Sequence, residues 1–395
     1  MTSKPVITRE NLPDSIKGQV QQVQSATDDH SLALFIDNKD ERLPQEKGGY
    51  ELRAFSNSFN IYDLWGRFVR SGPKRLSIKE APENTIVTRR IRESVDGFEY
   101  EGALSITPAV IKTAGSASKE MLIWPSDREE KVERALIRLA SKGKIIKATS
   151  STGIQYAVVF SMNELAQELK SVNQTMSYSQ IKEALEALQG AKLTFKYTSV
   201  DTQNDDIDPL VFESNMNFLS SLHFSGRKGL GGEVKCVAVL NHFMHQMIDN
   251  LEYKGYYFNR AQNFSRSLTR WLMLRLFHLF RYAAPNKTHH FRLLSIMEKY
   301  GSIGMDDDIS ENRLKALRRD MTTTMKDLIE DGAIDKYEVS NIKDDNNQVI
   351  DYTYVIYPSE RFCREMLSLN KHNKRIAIEG GKRSEEELID LNLEF

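Results

Sequence analysis

The segment Ser310–Pro358 constrains the fold most, because a helical pattern runs directly into an alternating one. Gly332 predicts the end of the helix, and Ile334–Ser340 and Val349–Tyr357 alternate as strands do, with a turn at Asp344–Asn347. One face of the helix must be buried, because apolar residues recur at helical spacing, namely Leu314, Leu317, Met321, Met325 and Leu328. The segment therefore predicts an amphipathic helix followed by a β-hairpin.

A second stripe of the same helix is basic and lies about 130° round the helix axis from the apolar one. A basic helix followed by a hairpin is the layout of a DNA-recognition helix with its wing. The same stripe also occurs on solvated helices that bind nothing. We predict that the polar side chains of this helix contact DNA: Arg313, Lys315, Arg318, Arg319, Thr322, Thr323 and Lys326.

The same order of helices and hairpin occurs earlier, in Ser161–Leu169, Ser177–Ser199 and Leu210–Met216. A long helix is predicted before each copy, at Ser126–Lys142 and Ser265–Tyr282. Capping-box spacing marks three helix starts in the first copy: Ser126 with Glu129, Ser161 with Glu164, and Ser177 with Gln180. The repetition predicts an α+β protein with two tandem winged-helix domains and flexible N- and C-terminal tails.

The helix Ser177–Gln189 of the first copy is less suited to phosphate, because Glu183 and Glu186 share its exposed face. We expect Gln180 and Lys182 to contact DNA there, and the first unit to serve mainly in dimerisation. The predicted boundaries are a flexible arm (1–50), a basic and aromatic lead-in (51–115), the first winged helix (116–250), the second winged helix (251–370) and a charged tail (371–395).

The whole chain of 395 residues carries a net charge of −1, but its basic residues are concentrated in local segments. Phosphate affinity depends on local patches rather than on the total. The lead-in is rich in basic residues, and we expect phosphate contacts from Arg67, Arg70, Lys74 and Arg75. Scattered surface charge is the alternative interpretation of these four residues.

No catalytic motif is complete. The chain has no P-loop and no dinucleotide fingerprint, and its two cysteines are far apart. His289 and Arg292 have the His-x-x-Arg spacing of tyrosine recombinases, but the tyrosines downstream alternate along the predicted hairpin. His242 and His245 lack further metal ligands at suitable spacing. We predict a cytoplasmic protein without enzymatic activity, metal, cofactor or membrane segment.

Three stretches carry a resemblance to a known family: Trp124–Gly143, Phe160–Phe195 and Ser267–Met366. They resemble the replication initiator (Rep) proteins of theta-replicating plasmids in Gram-negative bacteria. The resemblance implies binding of double-stranded DNA at short direct repeats (iterons) of the origin and melting of an adjacent AT-rich element. It also implies recruitment of the host replicative helicase and the β sliding clamp, repression of the protein's own gene, and dimers that are inactive in initiation.

A short motif in the N-terminal arm, Ser31–Phe35, resembles the pentapeptide by which replication proteins dock on the sliding clamp. Leu32, Leu34 and Phe35 would fill the apolar pocket of the clamp, whereas Ser31 replaces the usual glutamine. Leu393 and Phe395 at the C-terminus form a second, similar motif. Two other functions remain open: a tandem winged-helix transcriptional regulator and a tyrosine recombinase.

Overall fold

A computed structural model describes residues 7–12, 14–18, 20–36, 40–44, 50–72, 74–83, 85–95, 98–112, 120–151, 153–201, 209–225, 234–304 and 307–381. Helices and strands are both abundant, in agreement with the α+β class. The helices are α1 (Asp14–Lys17), α2 (His30–Ile36), α3 (Asn60–Leu64), α4 (Asp127–Leu139), α5 (Met162–Ser171), α6 (Tyr178–Gly190), α7 (His242–Asp249), α8 (Phe258–Gln262), α9 (Ser267–Leu279), α10 (Leu293–Tyr300), α11 (Glu311–Glu330) and α12 (Glu360–Glu379).

The strands form antiparallel sheets. They are β1 (Val20–Gln24), β2 (Glu41–Pro44), β3 (Tyr50–Arg53), β4 (Phe55–Phe59), β5 (Arg75–Ser77), β6 (Val87–Val95), β7 (Phe98–Thr107), β8 (Ala109–Lys112), β9 (Glu120–Ile123), β10 (Ile145–Ser150), β11 (Gly153–Ser161), β12 (Lys192–Asp201), β13 (Leu210–Asn217), β14 (Leu219–Ser225), β15 (Lys235–Leu240), β16 (Tyr253–Tyr257), β17 (His289–Arg292), β18 (Ile334–Lys343) and β19 (Val349–Pro358).

The second unit has the order α9, β17, α10, α11, β18, β19. Its three strands pair in the order β17-β19-β18, and α11 packs against β18, β19 and α9. Helix α11 ends at Glu330, two residues before Gly332, whose φ of 72° suits a residue without Cβ. The predicted helix and hairpin are therefore confirmed, and the turn contains Asn347 with a φ of 65°.

The first unit places α4, α5 and α6 before the β12–β13 hairpin. Strands β7 and β6 continue this hairpin into a four-stranded sheet in the order β13-β12-β7-β6. The predicted helix starts are confirmed. Reciprocal capping hydrogen bonds join Ser161 to Glu164 and Ser177 to Gln180, and the Ser126 amide donates to Glu129 Oε2 at 2.9 Å.

One continuous apolar core runs through both units and includes the lead-in, where Trp65 packs on Phe195 at 4.9 Å between ring centroids.

The predicted flexibility of residues 1–50 is wrong for α2, whose apolar face is buried in this core. The predicted boundary at residue 370 is also wrong, because α12 continues to Glu379 with Ile376 buried. In the part of the chain that the structure describes, no helix is long and apolar enough to cross a membrane.

Candidate nucleic-acid interface

Helix α11 carries the candidate interface. It starts after Ser310, whose hydroxyl oxygen accepts a hydrogen bond from the Arg313 amide at 3.3 Å. The apolar side chains predicted to face a core are all buried: Leu314, Leu317, Met321, Met325 and Leu328. Packing on the sheet thus fixes the rotation of α11 about its axis, and the basic stripe faces outward.

The outward stripe contains three exposed cations, Lys315, Arg319 and Lys326. Lys315 pairs with Glu311 at 2.5 Å, one turn earlier. Among the described residues, Arg319 and Lys326 have no side-chain ion pair or hydrogen bond, so their charges are available to a ligand. Two guanidinium or ammonium groups on one open helix face can meet the phosphates and base edges of a major groove.

Thr322 and Thr323 lie between these cations and are half-buried. Their hydroxyl groups donate to the backbone oxygens of Arg318 at 2.9 Å and Arg319 at 3.0 Å. Both hydroxyl oxygens keep accepting capacity for a further hydrogen bond.

Arg318 is held between α11 and the hairpin. Its guanidinium carbon lies 4.4 Å from the centre of the Tyr352 ring, and Nη1 lies 3.4 Å from the hydroxyl oxygen. Tyr352 is on β19 and was not predicted to take part in the interface. Tyr352 is buried, and the packing of α11 on the hairpin places it under Arg318.

Arg313 has a different role from the rest of the stripe. Its Nη2 donates to the backbone oxygen of Ser302 at 2.9 Å, which ties the start of α11 to the loop that follows α10. Arg313 is exposed, so its remaining donors can still reach a ligand.

The prediction that Arg67 contacts phosphate is wrong in this structure, because the side chain is 1% exposed. Its Nη2 donates to Asp63 Oδ1 at 2.8 Å and to Glu133, and its guanidinium lies over the Tyr62 ring. A buried arginine with two carboxylate partners neutralises interior acids and cannot also reach a phosphate on the surface.

Arg70 is also incorrectly predicted. Its side chain is buried, Nη2 donates to Glu130 Oε2 at 2.5 Å, and the guanidinium lies 4.8 Å from the centre of the Tyr300 ring. Burial alone would lower the pKa of Arg70, but the charge of Glu130 holds it above its ordinary value, so the side chain remains a cation. It joins the first unit to α10 of the second.

Lys74 and Arg75 are exposed, as a phosphate contact requires. Arg75 makes two hydrogen bonds to Glu183 on α6, Nη1 to Oε1 at 2.7 Å and Nη2 to Oε2 at 3.1 Å. Arg128 at the start of α4 also donates to Glu183 Oε1, at 2.7 Å. No local sequence signal relates these three residues, since they are far apart in the chain.

On α6, Gln180 and Lys182 are exposed as expected. The Gln180 side-chain oxygen accepts from the Ser177 amide at 2.9 Å, so it caps the helix. Lys182 lies 3.5 Å from Glu186, and its Nζ is 5.5 Å from the centre of the Phe224 ring. The surface of α6 is consequently closer to charge balance than that of α11.

The clamp-like motif lies in α2, where Leu32 and Phe35 are fully buried and Leu34 is 3% exposed. Phe35 packs against Phe59 and Tyr253. The prediction that these three residues dock on a clamp is wrong for this structure, because the same apolar groups fill the protein's own core. Leu393 and Phe395 lie outside the described residues.

The remaining candidate residues have structural partners. His245 Nε2 is 3.2 Å from the Tyr156 amide, and burial lowers the pKa of His245 to about 4, so it is neutral and accepts this bond. His289 and Arg292 lie on β17, opposite Ile356 and Thr353 of β19. Tyr337 and Tyr354 stack across the hairpin with centroids 6.1 Å apart. The tyrosine pattern is thus accounted for by cross-strand packing.

No protein-family model and no curated protein matches the chain. Two crystal structures of domains 2 and 3 of RctB show a distant likeness. The selenomethionine form has 11% identity and a TM-score of 0.41 over 75% of this chain and 98% of that chain. The other has 12% identity and a TM-score of 0.37 over 78% and 99%. The Pi initiator protein in complex with iteron DNA has 11% identity and a TM-score of 0.37 over 59% and 91%.

Proposed function

We propose that this protein is a replication initiator that binds direct repeats of double-stranded DNA through two tandem winged-helix units. The observation that carries the proposal is the open cationic stripe of α11 beside the β18–β19 hairpin. A helix of this kind fits the major groove, and the adjacent hairpin reaches the flanking backbone. We infer that the second unit is the principal reader of sequence, because Arg319 and Lys326 on its exposed helix form no ion pair within the described residues.

The order of elements supports the winged-helix interpretation. In the second unit a helix, a strand, two helices and two strands follow one another, and the hairpin strand β19 pairs with the early strand β17. The first unit repeats the helices and the hairpin. The chemistry proposed is binding without catalysis, since the candidate histidines and tyrosines have structural roles.

The proposal of replication initiation, rather than gene repression alone, is based on the resemblance of the sequence to plasmid initiators. Initiation would involve origin opening, contacts with the host helicase and sliding clamp, and a dimer that competes with the DNA-bound form. With α2 buried, Leu393 and Phe395 are the clamp-binding candidates. A transcriptional regulator would bind the same DNA but would not support replication of a plasmid that lacks another origin. That replication assay separates the two functions.

The interface is tested by Arg319→Ala. Loss of a bidentate contact to a base should weaken binding to the specific site by about 1–3 kcal/mol and relax base choice at one position. Fluorescence anisotropy with duplexes from the DNA flanking the gene, at fixed salt, measures both effects.

The matched control is Arg364→Ala, which removes an exposed arginine from α12, where Arg364 pairs with Glu360 at 2.9 Å. We expect this variant to bind like the wild type. Unchanged affinity and specificity in Arg319→Ala would exclude α11 as the reader.

A further inference from the structure

Three side chains from three elements meet at one point on the surface of the first unit. Arg75 of β5 and Arg128 of α4 each place Nη1 2.7 Å from Oε1 of Glu183 on α6. Arg128 also donates through Nε to Glu129 Oε1 at 2.8 Å, which fixes its position. Two guanidinium groups thus converge on one oxyanion. This is the arrangement in which arginine forks bind phosphate, here filled by a carboxylate.

The cluster is open to a ligand. The side chains of Arg75, Arg128 and Glu183 are 42%, 27% and 21% exposed. Burial alone would raise the pKa of Glu183, but hydrogen bonds and charge from Arg128 and Arg75 hold it below its ordinary value, so Glu183 is ionised at neutral pH. These ion pairs are open to solvent, which screens them, so another anion can exchange with this carboxylate.

We propose that Arg75 and Arg128 form a binding site for a backbone phosphate of duplex DNA, which Glu183 occupies in the free protein. The inference rests on the proposed function and extends it to the first unit. When phosphate enters, the Glu183 side chain turns to solvent and the two guanidinium groups stay in place. Lys74 and Lys182, both exposed, add positive charge on the same unit. A phosphate contact carries no sequence information, so Glu183 tunes affinity and leaves base choice unchanged.

The test compares Glu183→Gln with Glu186→Gln. Each variant removes one negative charge from the exposed face of α6, but Glu186 contacts Lys182 at 3.5 Å and neither arginine. For Glu183→Gln we expect tighter binding to specific and unrelated duplexes alike. Because Glu183 turns away when phosphate enters the wild-type site, the wild type and Glu183→Gln contact the same phosphates, so the slope of log affinity against log salt should be the same in both. Arg75→Ala should flatten this slope by about 0.9. Glu186→Gln should stay near the wild-type affinity, because Glu186 does not compete with phosphate for the two arginines.

Equal DNA affinities of the two variants would overturn the inference, and Glu183 would then be a structural link between β5, α4 and α6. Melting curves establish that each variant is folded. If Glu183→Gln does not fold, Arg75→Ala decides the matter, because a phosphate site predicts a shallower slope and a structural link predicts an unchanged one.

Two further measurements distinguish the remaining outcomes. Inorganic phosphate, titrated by calorimetry at constant ionic strength, would replace the DNA assignment if it bound Glu183→Gln while DNA affinity stayed at the level of Glu186→Gln. A wild-type protein that binds no duplex would refute the proposed function itself. Wild-type binding that depends on Arg319, with no effect of Glu183→Gln, would refute this inference alone.

Discussion

At the scale of single residues, burial separates arginines that stabilise the fold from arginines that can meet DNA. Arg67 and Arg319 are the same residue type, and each lies in a basic segment. Arg67 is enclosed by Asp63 and Glu133, whereas Arg319 projects from a helix whose opposite face is packed. Removing one member of a buried ion pair leaves an uncompensated charge in a medium of low polarity. The two arginines should consequently respond to mutation in different assays.

Arg67→Ala should lower the stability of the protein by about 3–5 kcal/mol, because Asp63 and Glu133 lose a buried partner. Thermal unfolding followed by circular dichroism measures this loss. Lys74→Ala, at an exposed position nearby, should melt like the wild type. A folded Arg67→Ala protein with unchanged stability and a shallower salt dependence of DNA binding would restore Arg67 as a phosphate contact.

At the scale of elements, strong local signals predicted the helices that have caps and long periodic faces. Helix α2 is capped by Asp29, which accepts from the Leu32 amide at 2.9 Å, but it has no long periodic face. It spans seven residues, and its apolar run Leu34–Ile36 also fits a peptide that docks on a partner. The structure shows that the run is buried against β4 and β16 through Phe59 and Tyr253. The same apolar groups that suit a clamp pocket therefore suit the core, and only the packing distinguishes the two.

Phe35→Ala should cost about 3–5 kcal/mol of folding stability, since it leaves a cavity where a fully buried ring was. Urea unfolding is the measurement, with Ser31→Ala on the same helix as a control expected near the wild type. If α2 were instead a free docking peptide, Phe35→Ala would unfold at the wild-type urea concentration.

At the scale of the whole molecule, strand β6 joins the two units through charged groups. Glu93 pairs with Arg275 of α9 at 2.6 Å and with Lys299 of α10 at 2.9 Å. Nearby, Arg89 Nη1 donates to the backbone oxygen of Tyr300 at 3.3 Å, and burial lowers the pKa of Arg89 to about 10. These contacts hold the end of α10, and through it the start of α11, against the sheet of the first unit.

Glu93 should make the stability of this junction between the two units depend on pH, with stability lost in acid. Burial alone would raise the pKa of Glu93, but Arg275 and Lys299 hold it below its ordinary value. A carboxyl whose pKa is lower in the folded state stabilises the protein above the unfolded-state pKa, about 4.3 for Glu, and loses this contribution as pH falls through the folded-state pKa. Glu93→Gln should therefore melt well below the wild type at pH 7, and the gap should narrow below about pH 4.

Melting temperatures across this pH range, with Glu99→Gln as an exposed control on β7, test the prediction. Glu99→Gln should follow the wild type throughout. If the difference in melting temperature between the wild type and Glu93→Gln stayed constant with pH, the charge of Glu93 would not couple the two units.

By itself, the sequence determined the α+β class, the capped helices α5 and α6, the helix and hairpin of the second unit, and the outward stripe of α11. These features depend on residues a few positions apart, whose spacing decides which face is apolar and where a helix starts or stops. The apolar periodicity of α11 alone therefore located Lys315, Arg319 and Lys326 on the opposite face.

Only the tertiary structure decided which charged side chains and apolar segments remain accessible to a ligand or partner. Arg67 meets Glu133, Arg75 meets Glu183 and Phe35 meets Tyr253, all pairs far apart in the chain. The local sequence shows whether a residue is basic or apolar, but the accessibility of its side chain depends on which distant side chain folding brings against it. Burial and pairing are long-range properties, and for this reason Arg67, Arg70 and the N-terminal motif proved to be buried, whereas Lys74 and Arg75 stayed exposed.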